Sequence, residues 1–290
     1  MFTLHSPLIA LVGLTLSTTL SLGAGTSPLP NDINTAVPGH PGMVYLDLLR
    51  QLVPDLQPNE TIASGTKIEP VRHVLGPFMG SDGMTELPGG ITFGSFQTRI
   101  GTFEAQRRIV VLASLGKGQV AETPTLLMAF SDEAKPMLVD VLDVAFAERV
   151  GFGTRQPVAI GPSDQMVLAT SRQHKDDLTE LTDVMLFMRE GRFEPLGMLA
   201  RTEKVGCGFQ WTQPVTITAQ RPITPGPYND VKVTITDIGS LIDNGCDQSY
   251  GEAPFSRPYS ALFQWDDEAG RFVADLSEFD SLKALTGARF

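Results

Sequence analysis

Four short apolar runs dominate the middle of the chain. Each is four or five residues long and rich in aliphatic side chains, and Gly, Pro, Asp or Ser lies close to each. The runs are Ile109–Leu112, Thr125–Met128, Met166–Ala169 and Val184–Met188. Short apolar runs bounded by turn residues are typical of strands buried on both faces, whereas helices need longer periodic patterns. The stretch from Arg108 to Leu199 therefore predicts a sheet on which the rest of the chain packs.

Hairpin signals flank this block. Two segments share one pattern, in which an apolar strand is followed by a polar turn and then by Gly-Arg-Phe. These segments are Leu186–Phe193 and Leu262–Phe272. We expect the glycine to take the positive φ that closes the turn, the arginine to face water and the phenylalanine to return to the core. Val231–Thr236 alternates strictly between apolar and polar residues, which predicts a strand with one buried face.

Helical periodicity occurs near both ends of the chain. The first predicted helix, Tyr45–Val53, is ended by Pro54, and the second, Ser277–Leu285, is capped by Ser277 and ended by Gly287. The residues on their apolar faces are Tyr45, Leu48, Leu49 and Leu52, and then Phe279 and Leu282. We expect the first helix to cap one end of the sheet, and the alternative is a helix that binds a partner.

The segment Met137–Glu148 fits either a helix or a strand. A helix would put Asp140 and Asp143 on one face, as paired acid and base groups require. Pro136 sits awkwardly inside a helix capped at Ser131, so we favour a strand, which points the two carboxylates to opposite faces.

The predicted fold is therefore mainly β, with about ten to thirteen antiparallel meander strands and short helices at both ends. A β-sandwich and a propeller-like arrangement both fit. Residues 26–42 are rich in Pro and Gly and predict a linker. Residues 43–290 then form one domain, in which 91–200 and 201–290 are candidate sub-modules.

Residues 1–25 have the shape of a secretory signal peptide, because a short apolar segment is followed by small residues. The usual basic start is missing, since only His5 precedes that segment. Ser and Thr at positions 17, 18, 19 and 21 interrupt the run, and a membrane-spanning helix needs about 20 mostly apolar residues. We expect the leader to be cleaved, leaving no stable membrane span, and the mature protein to be periplasmic or secreted.

The net charge is −11, and the longest basic feature is Arg107–Arg108. Such a chain is unsuited to nucleic acid and to anionic membrane surfaces. The two cysteines, Cys207 and Cys246, predict a disulfide in an exported protein, because a hairpin about Gly226–Pro227 sets position 207 opposite position 246. Closing this loop would stabilise the fold by roughly 4 kcal/mol in the chain-entropy model.

No phosphate-binding loop, Gly-x-Ser-x-Gly elbow, His-Glu-x-x-His helix or acidic calcium loop occurs in the sequence. The histidines after the leader, His40, His73 and His174, are far apart, whereas zinc ligands are usually closely spaced, so neither a metal nor a cofactor is predicted. His174 lies beside Asp176 and Asp177, where it could act as a general base or form a solvated hairpin tip. His73, His174 and Asp176 are the catalytic candidates.

The segment from Pro54 to Gly90 is Gly-rich and predicted to be irregular, and its part from residue 70 to residue 90 is the expected contact loop. Its candidate ligand-binding residues are His73, Met79, Asp82 and Met84. One histidine with two thioethers could bind Cu(I), and the alternative is that Met79 fills the core while His73 lies on the surface. A second set, aromatic residues of the last third of the chain, fits a sugar or peptide platform or ordinary packing. This set comprises Trp211, Tyr250, Tyr259 and Trp265.

These observations favour an exported, non-catalytic β protein that binds a small ligand or an envelope or extracellular protein. The alternative is an exported hydrolase whose site is scattered along the chain, built from His73, His174 and a carboxylate such as Asp176.

Overall fold

The computed structural model describes residues 32–59, 62–66, 68–74, 83–85, 90–115, 124–144, 149–154, 156–222, 226–243 and 253–290. The predicted leader lies outside these ranges. The mainly β class is confirmed. The helices are α1, Tyr45–Leu49, and α2, Ser277–Arg289. The strands are β1 Gln57–Asn59, β2 Ile62–Gly65, β3 Val71–His73, β4 Met84–Thr85, β5 Ile91–Phe103, β6 Gln106–Leu115, β7 Thr125–Ser131, β8 Leu138–Asp143, β9 Arg149–Phe152, β10 Val158–Ala159, β11 Gln165–Lys175, β12 Leu178–Arg189, β13 Arg192–Val205, β14 Phe209–Thr212, β15 Val215–Gln220, β16 Asp230–Leu241, β17 Phe255–Asp266 and β18 Arg271–Val273.

These strands form two sheets. The first has the order β1-β2-β5-β6-β7-β8-β3-β4, and the second runs β10-β11-β12-β13-β14-β16-β17-β18, with β9 added to β11 and β15 to β16. Every pair is antiparallel except β3 with β8, which is parallel. The strands exceed the predicted number because several, such as β4 and β10, are only two residues long and leave no periodic signal.

The four apolar runs lie in β6, β7, β11 and β12, and all their residues are buried. Because neighbouring residues of a strand point to opposite faces, each of these strands contributes to two hydrophobic layers. Ile109 and Met128 pack beneath α1, whereas Val110 and Leu127 meet Val184 of the second sheet. The two sheets therefore pack face to face, which is the sandwich arrangement and not the propeller-like one.

The second sheet curls back on itself. Met185 and Phe187 of β12 face Val233 of β16 and Phe263 of β17 across a third hydrophobic layer. Gly197 of β13 permits this approach, because a Cβ there would lie 2.5 Å from Cε1 of Phe263. The strand Val231–Thr236 has the predicted single buried face, which lines this layer.

Both predicted helices occur at the predicted places in the chain, but each ends at a different residue from the one predicted. α1 is shorter than predicted, and its apolar face continues through turns, with Val53 donating to the Leu49 carbonyl. α2 continues past Gly287 to Arg289. Ser277 is not its side-chain cap: the N-cap residue is Leu276, and the Ser277 N–H donates to Asp275 instead. No helix in the described part of the chain is both long and apolar enough to cross a membrane.

Three local predictions are confirmed. Within the segment 137–148, residues 138–143 form a strand, so Asp140 and Asp143 point to opposite faces, and residues 145–148 lie outside the described ranges. In both Gly-Arg-Phe turns the glycine has positive φ, +71° at Gly191 and +61° at Gly270. The phenylalanines that follow are buried and the intervening arginines are exposed.

The described part of the predicted linker, residues 32–42, packs against the domain. Ile33 and Val37 are buried together with α1, and the Leu46 N–H donates to the Ile33 carbonyl. Glycine in this segment shapes a tight loop, with positive φ at Gly39 and Gly42. The domain boundaries proposed at residues 26 and 43, and the sub-modules, stay predictions.

Tyr45 of α1 gives the fold a dependence on alkaline pH. Its ring is buried and its hydroxyl donates to Thr98 Oγ1 at 3.1 Å. Burial raises the pKa of Tyr45 above the ordinary 10.0, and the hydrogen bond to Thr98 lowers it in part. The folded state thus holds this proton more tightly than the unfolded chain, and the resulting stability is lost as the pH rises above about 10 through the folded-state pKa.

We expect Tyr45→Phe to flatten the loss of unfolding free energy above about pH 10. The measurement is urea unfolding at a series of pH values, with Thr98→Val as the control that removes the same hydrogen bond but keeps the phenol. A Tyr45→Phe curve parallel to wild type would contradict this assignment.

Candidate functional site

The predicted catalytic residues lie in two different sheets. His174 and Asp176 lie at the exposed tip of the β11–β12 hairpin, where the His174 Nδ1 is 2.9 Å from Thr179 Oγ1. Asp176 closes the turn with φ +55°. His73 lies in β3 of the other sheet, in parallel register with the buried Asp143 of β8. One carboxylate oxygen of Asp143 accepts the Thr125 N–H at 3.1 Å, which is a structural role.

The predicted ligand-binding set is only partly described. Met79 and Asp82 lie outside the described residues. Met84 pairs with Arg72, so Met84 shares the face of Arg72 and points away from the face of His73. The structure therefore does not bring His73 and Met84 together, because their strand register separates them.

The aromatic residues within the described ranges pack in the core. Trp211 is buried against Phe209, and Trp265 meets Phe187 edge-on at 6.2 Å. Tyr259 borders the same layer as Trp265. Tyr250 lies outside the described residues. These contacts correspond to packing, the second of the two interpretations.

A cleft of about 600 Å³ opens at the end of the first sheet. Three chain segments line it: the loop before α1, the start of β6, and the turn between β7 and β8. The lining residues are Gly39, His40, Pro41, Gly42, Met43, Arg107, Asp132, Glu133 and Ala134. This volume lies in the range of small-molecule sites.

The loop holds His40 in place through its backbone. The His40 N–H donates to the Val37 carbonyl at 3.0 Å, and the Met43 N–H donates to the His40 carbonyl at 3.1 Å. Gly39 and Gly42 adopt φ values of +83° and +86°, which a side chain would strain. The imidazole is thereby fixed over the end of β7.

Asp132 joins the three segments through its carboxylate. Its Oδ1 lies 2.6 Å from His40 Nε2, and its Oδ2 lies 2.6 Å from Arg107 Nε. The His40 and Asp132 side chains are only 8% and 9% exposed, whereas Arg107 is 63% exposed. Asp132 also lies opposite Arg107, one residue beyond the Arg108–Ser131 pair of β6 and β7. The Asp132 N–H donates to the Arg107 carbonyl at 3.3 Å. A buried imidazole–carboxylate pair thus supports an exposed guanidinium at the cleft.

A second cleft, of about 540 Å³, lies between β17 and the start of α2. Its carboxylates serve the fold: Glu278 accepts the Ser260 N–H at 2.6 Å, and Asp275 accepts the Ser277 N–H at 2.9 Å. The latter bond lowers the pKa of Asp275. Because these groups are satisfied locally, we regard the His40 cleft as the stronger candidate site.

Among the residues that the structure describes, no group of three or more His, Cys, Asp or Glu is placed to hold a metal ion. Comparison with known proteins finds no matching family, no matching curated protein and no matching solved structure. The site must therefore be interpreted from its own geometry.

Sequence reasoning missed this site. In the sequence, Arg107 belongs to a basic pair too short to indicate a basic surface, and His40 is an isolated histidine in a Pro- and Gly-rich segment. His40 and Asp132 are 92 residues apart. The one available signal was the β6–β7 register, which sets Arg107 opposite Asp132 once Arg108 is paired with Ser131.

Proposed function

We propose that this chain is an exported, non-catalytic binding protein and that the His40 cleft is its ligand site. The observation that carries the proposal is the pre-formed arrangement of His40, Asp132 and Arg107 beside a cleft of about 600 Å³. A carboxylate that a buried imidazole holds in place beside an open cleft is the kind of pre-formed polar group that binding sites use to orient a ligand.

The export proposal rests on the leader pattern over residues 1–25 and on the bridge predicted between Cys207 and Cys246. Cys207 carries no free thiol, and Cys246 lies outside the described residues. The β14–β16 register sets Phe209 opposite Leu241, and the Ile242 N–H donates to the Gly208 carbonyl at 3.1 Å. This register corrects the predicted one: position 207 lies opposite position 243 and not 246, because the hairpin centres three residues of pairing register earlier than a turn about Gly226–Pro227 would set it. Position 243 is three residues from Cys246, and this short separation is what supports the proposed bridge.

The His40–Asp132 pair is the observation that favours the hydrolase as a second candidate, because a carboxylate-held imidazole can act as a general base. In such a hydrolase, His40 and Asp132 would be the acid–base groups in place of the predicted His73 and His174. Among the described lining residues there is no hydroxyl or thiol that could serve as a nucleophile. A hydrolase at this cleft would have to use water or a carboxylate as its nucleophile, whereas binding needs only the groups that line the cleft, so binding is the better-supported function.

Ala134→Trp, which fills the cleft without changing the ion pairs, should abolish ligand-dependent stabilisation. A ligand at 100 times its Kd stabilises the wild-type fold by about 2.7 kcal/mol. The measurement is thermal unfolding across a panel of small molecules and peptides. Ala269→Trp, at an exposed turn outside the cleft, is the matched control and should respond like wild type. Equal ligand responses from both variants would contradict the proposal.

A further inference from the structure

The charges of the His40 cleft indicate the chemistry of its ligand, an inference that rests on the proposed function. Arg107 uses its Nε edge on Asp132. Neither of its terminal nitrogens donates a hydrogen bond to any residue that the structure describes, and the side chain is 63% exposed. The Asp132 contact therefore orients the guanidinium and leaves two terminal amino groups for a ligand.

Those terminal groups suit a carboxylate. A planar guanidinium presents paired N–H donors at the spacing of the two carboxylate oxygens, and such bidentate contacts are the stronger kind. Asp132 cannot be displaced easily from this arrangement, because His40 holds its other oxygen at 2.6 Å. The ligand's carboxylate would thus add to the existing pair.

Glu133 supplies the opposite charge at the same cleft. It is exposed and forms no ion pair with a described residue, although it lies next to Asp132. Met43, Pro41 and Ala134 add apolar lining to the same cleft. A cleft with one available cation, one available anion and apolar lining is complementary to a molecule that carries both charges on a short apolar frame.

We infer that the His40 cleft binds zwitterionic ligands of the amino acid or short-peptide class, with the carboxylate on Arg107 and the ammonium group on Glu133. The net charge of −11 would repel a purely anionic ligand, and a zwitterion avoids this repulsion.

The test uses a randomised tripeptide mixture in four forms: free, acetylated at the amine, amidated at the carboxylate, and blocked at both ends. Methyl NMR signals of Met43 and Ala134 report occupancy of the cleft. We expect amidation to weaken binding to wild type at least tenfold, and Arg107→Met to bind the free and amidated forms equally. Glu133→Gln should likewise lose its preference for the free amine. Arg221→Met, an exposed arginine outside the cleft, should behave like wild type.

The outcomes separate this inference from the proposed function. If doubly blocked peptides move the Met43 and Ala134 signals as strongly as free ones, the cleft binds ligands but the zwitterion inference is wrong. If Arg107→Met still distinguishes acid from amide, the assignment to Arg107 is wrong. If no tripeptide form moves either signal, the zwitterion inference fails, and the ligand panel with Ala134→Trp then decides the proposed function by itself.

Discussion

Arg201→Met should lower the free energy of unfolding by about 3–5 kcal/mol, because it leaves a buried carboxylate without its cation. Asp183 is fully buried in β12. Its Oδ1 accepts hydrogen bonds from Thr170 Oγ1 at 2.5 Å and from Arg201 Nη2 at 3.0 Å, and its Oδ2 accepts one from Arg201 Nε. Arg201 also donates to the Gln213 carbonyl at 2.9 Å, so one guanidinium joins three parts of the second sheet.

Urea unfolding measures this loss, and a matched pair in the same sheet provides the control. Arg172 and Glu203 lie 3.6 Å apart with side chains 45% and 32% exposed, so Arg172→Met should cost less than about 1 kcal/mol. Replacing Asp183 with Leu in the Arg201→Met background should recover much of the loss, because the uncompensated charge is removed. Equal effects of Arg201→Met and Arg172→Met would contradict the buried-pair account.

Phe187→Ala should cost about 3–5 kcal/mol by opening a cavity in the layer that the curled second sheet encloses. The ring is 1% exposed. It meets Phe272 at 5.4 Å and Tyr228 at 5.5 Å, both edge-on, which is the favourable geometry for aromatic pairs. Together with the edge-on contact to Trp265, the substitution therefore removes buried area and three oriented ring contacts.

Phe187→Leu fills part of the cavity and should cost less than Phe187→Ala in the same unfolding measurement. Phe290→Ala is the exposed control: its ring is 41% exposed, although it meets Trp211 at 5.4 Å. We expect Phe290→Ala to cost about 1 kcal/mol. If Phe187→Ala destabilises no more than Phe290→Ala, the third hydrophobic layer is not packed as described.

Patterns that act within a strand or a turn could be predicted from the sequence. The runs at Ile109 and Val184 marked doubly buried strands because both faces of each strand meet a hydrophobic layer. Pro136 correctly predicts a strand and not a helix at 138–143, because proline disrupts a helix interior. Gly191 and Gly270 marked hairpins through a conformation that other residues adopt only with strain.

Features that depend on tertiary packing could not be predicted in this way. The last turn of α2 is held by an ion pair between Arg289 and the buried Asp237, whose atoms lie 3.1 Å apart. These two residues are separated by 52 positions in the sequence. The cleft depends similarly on His40 reaching Asp132 over 92 residues. Neither contact leaves a local pattern, because ion pairs between distant segments impose no periodicity on the chain.

Native, non-reducing mass spectrometry of protein recovered from the cells that make it tests the binding proposal most directly, with Ala134→Trp and Ala269→Trp measured alongside wild type. We predict a wild-type chain cut after about residue 25, short of two hydrogens, and carrying the extra mass of a ligand. Ala269→Trp should retain this extra mass and Ala134→Trp should lose it. An uncut leader would contradict export, and an extra mass that persists in Ala134→Trp would contradict the His40 cleft as the binding site.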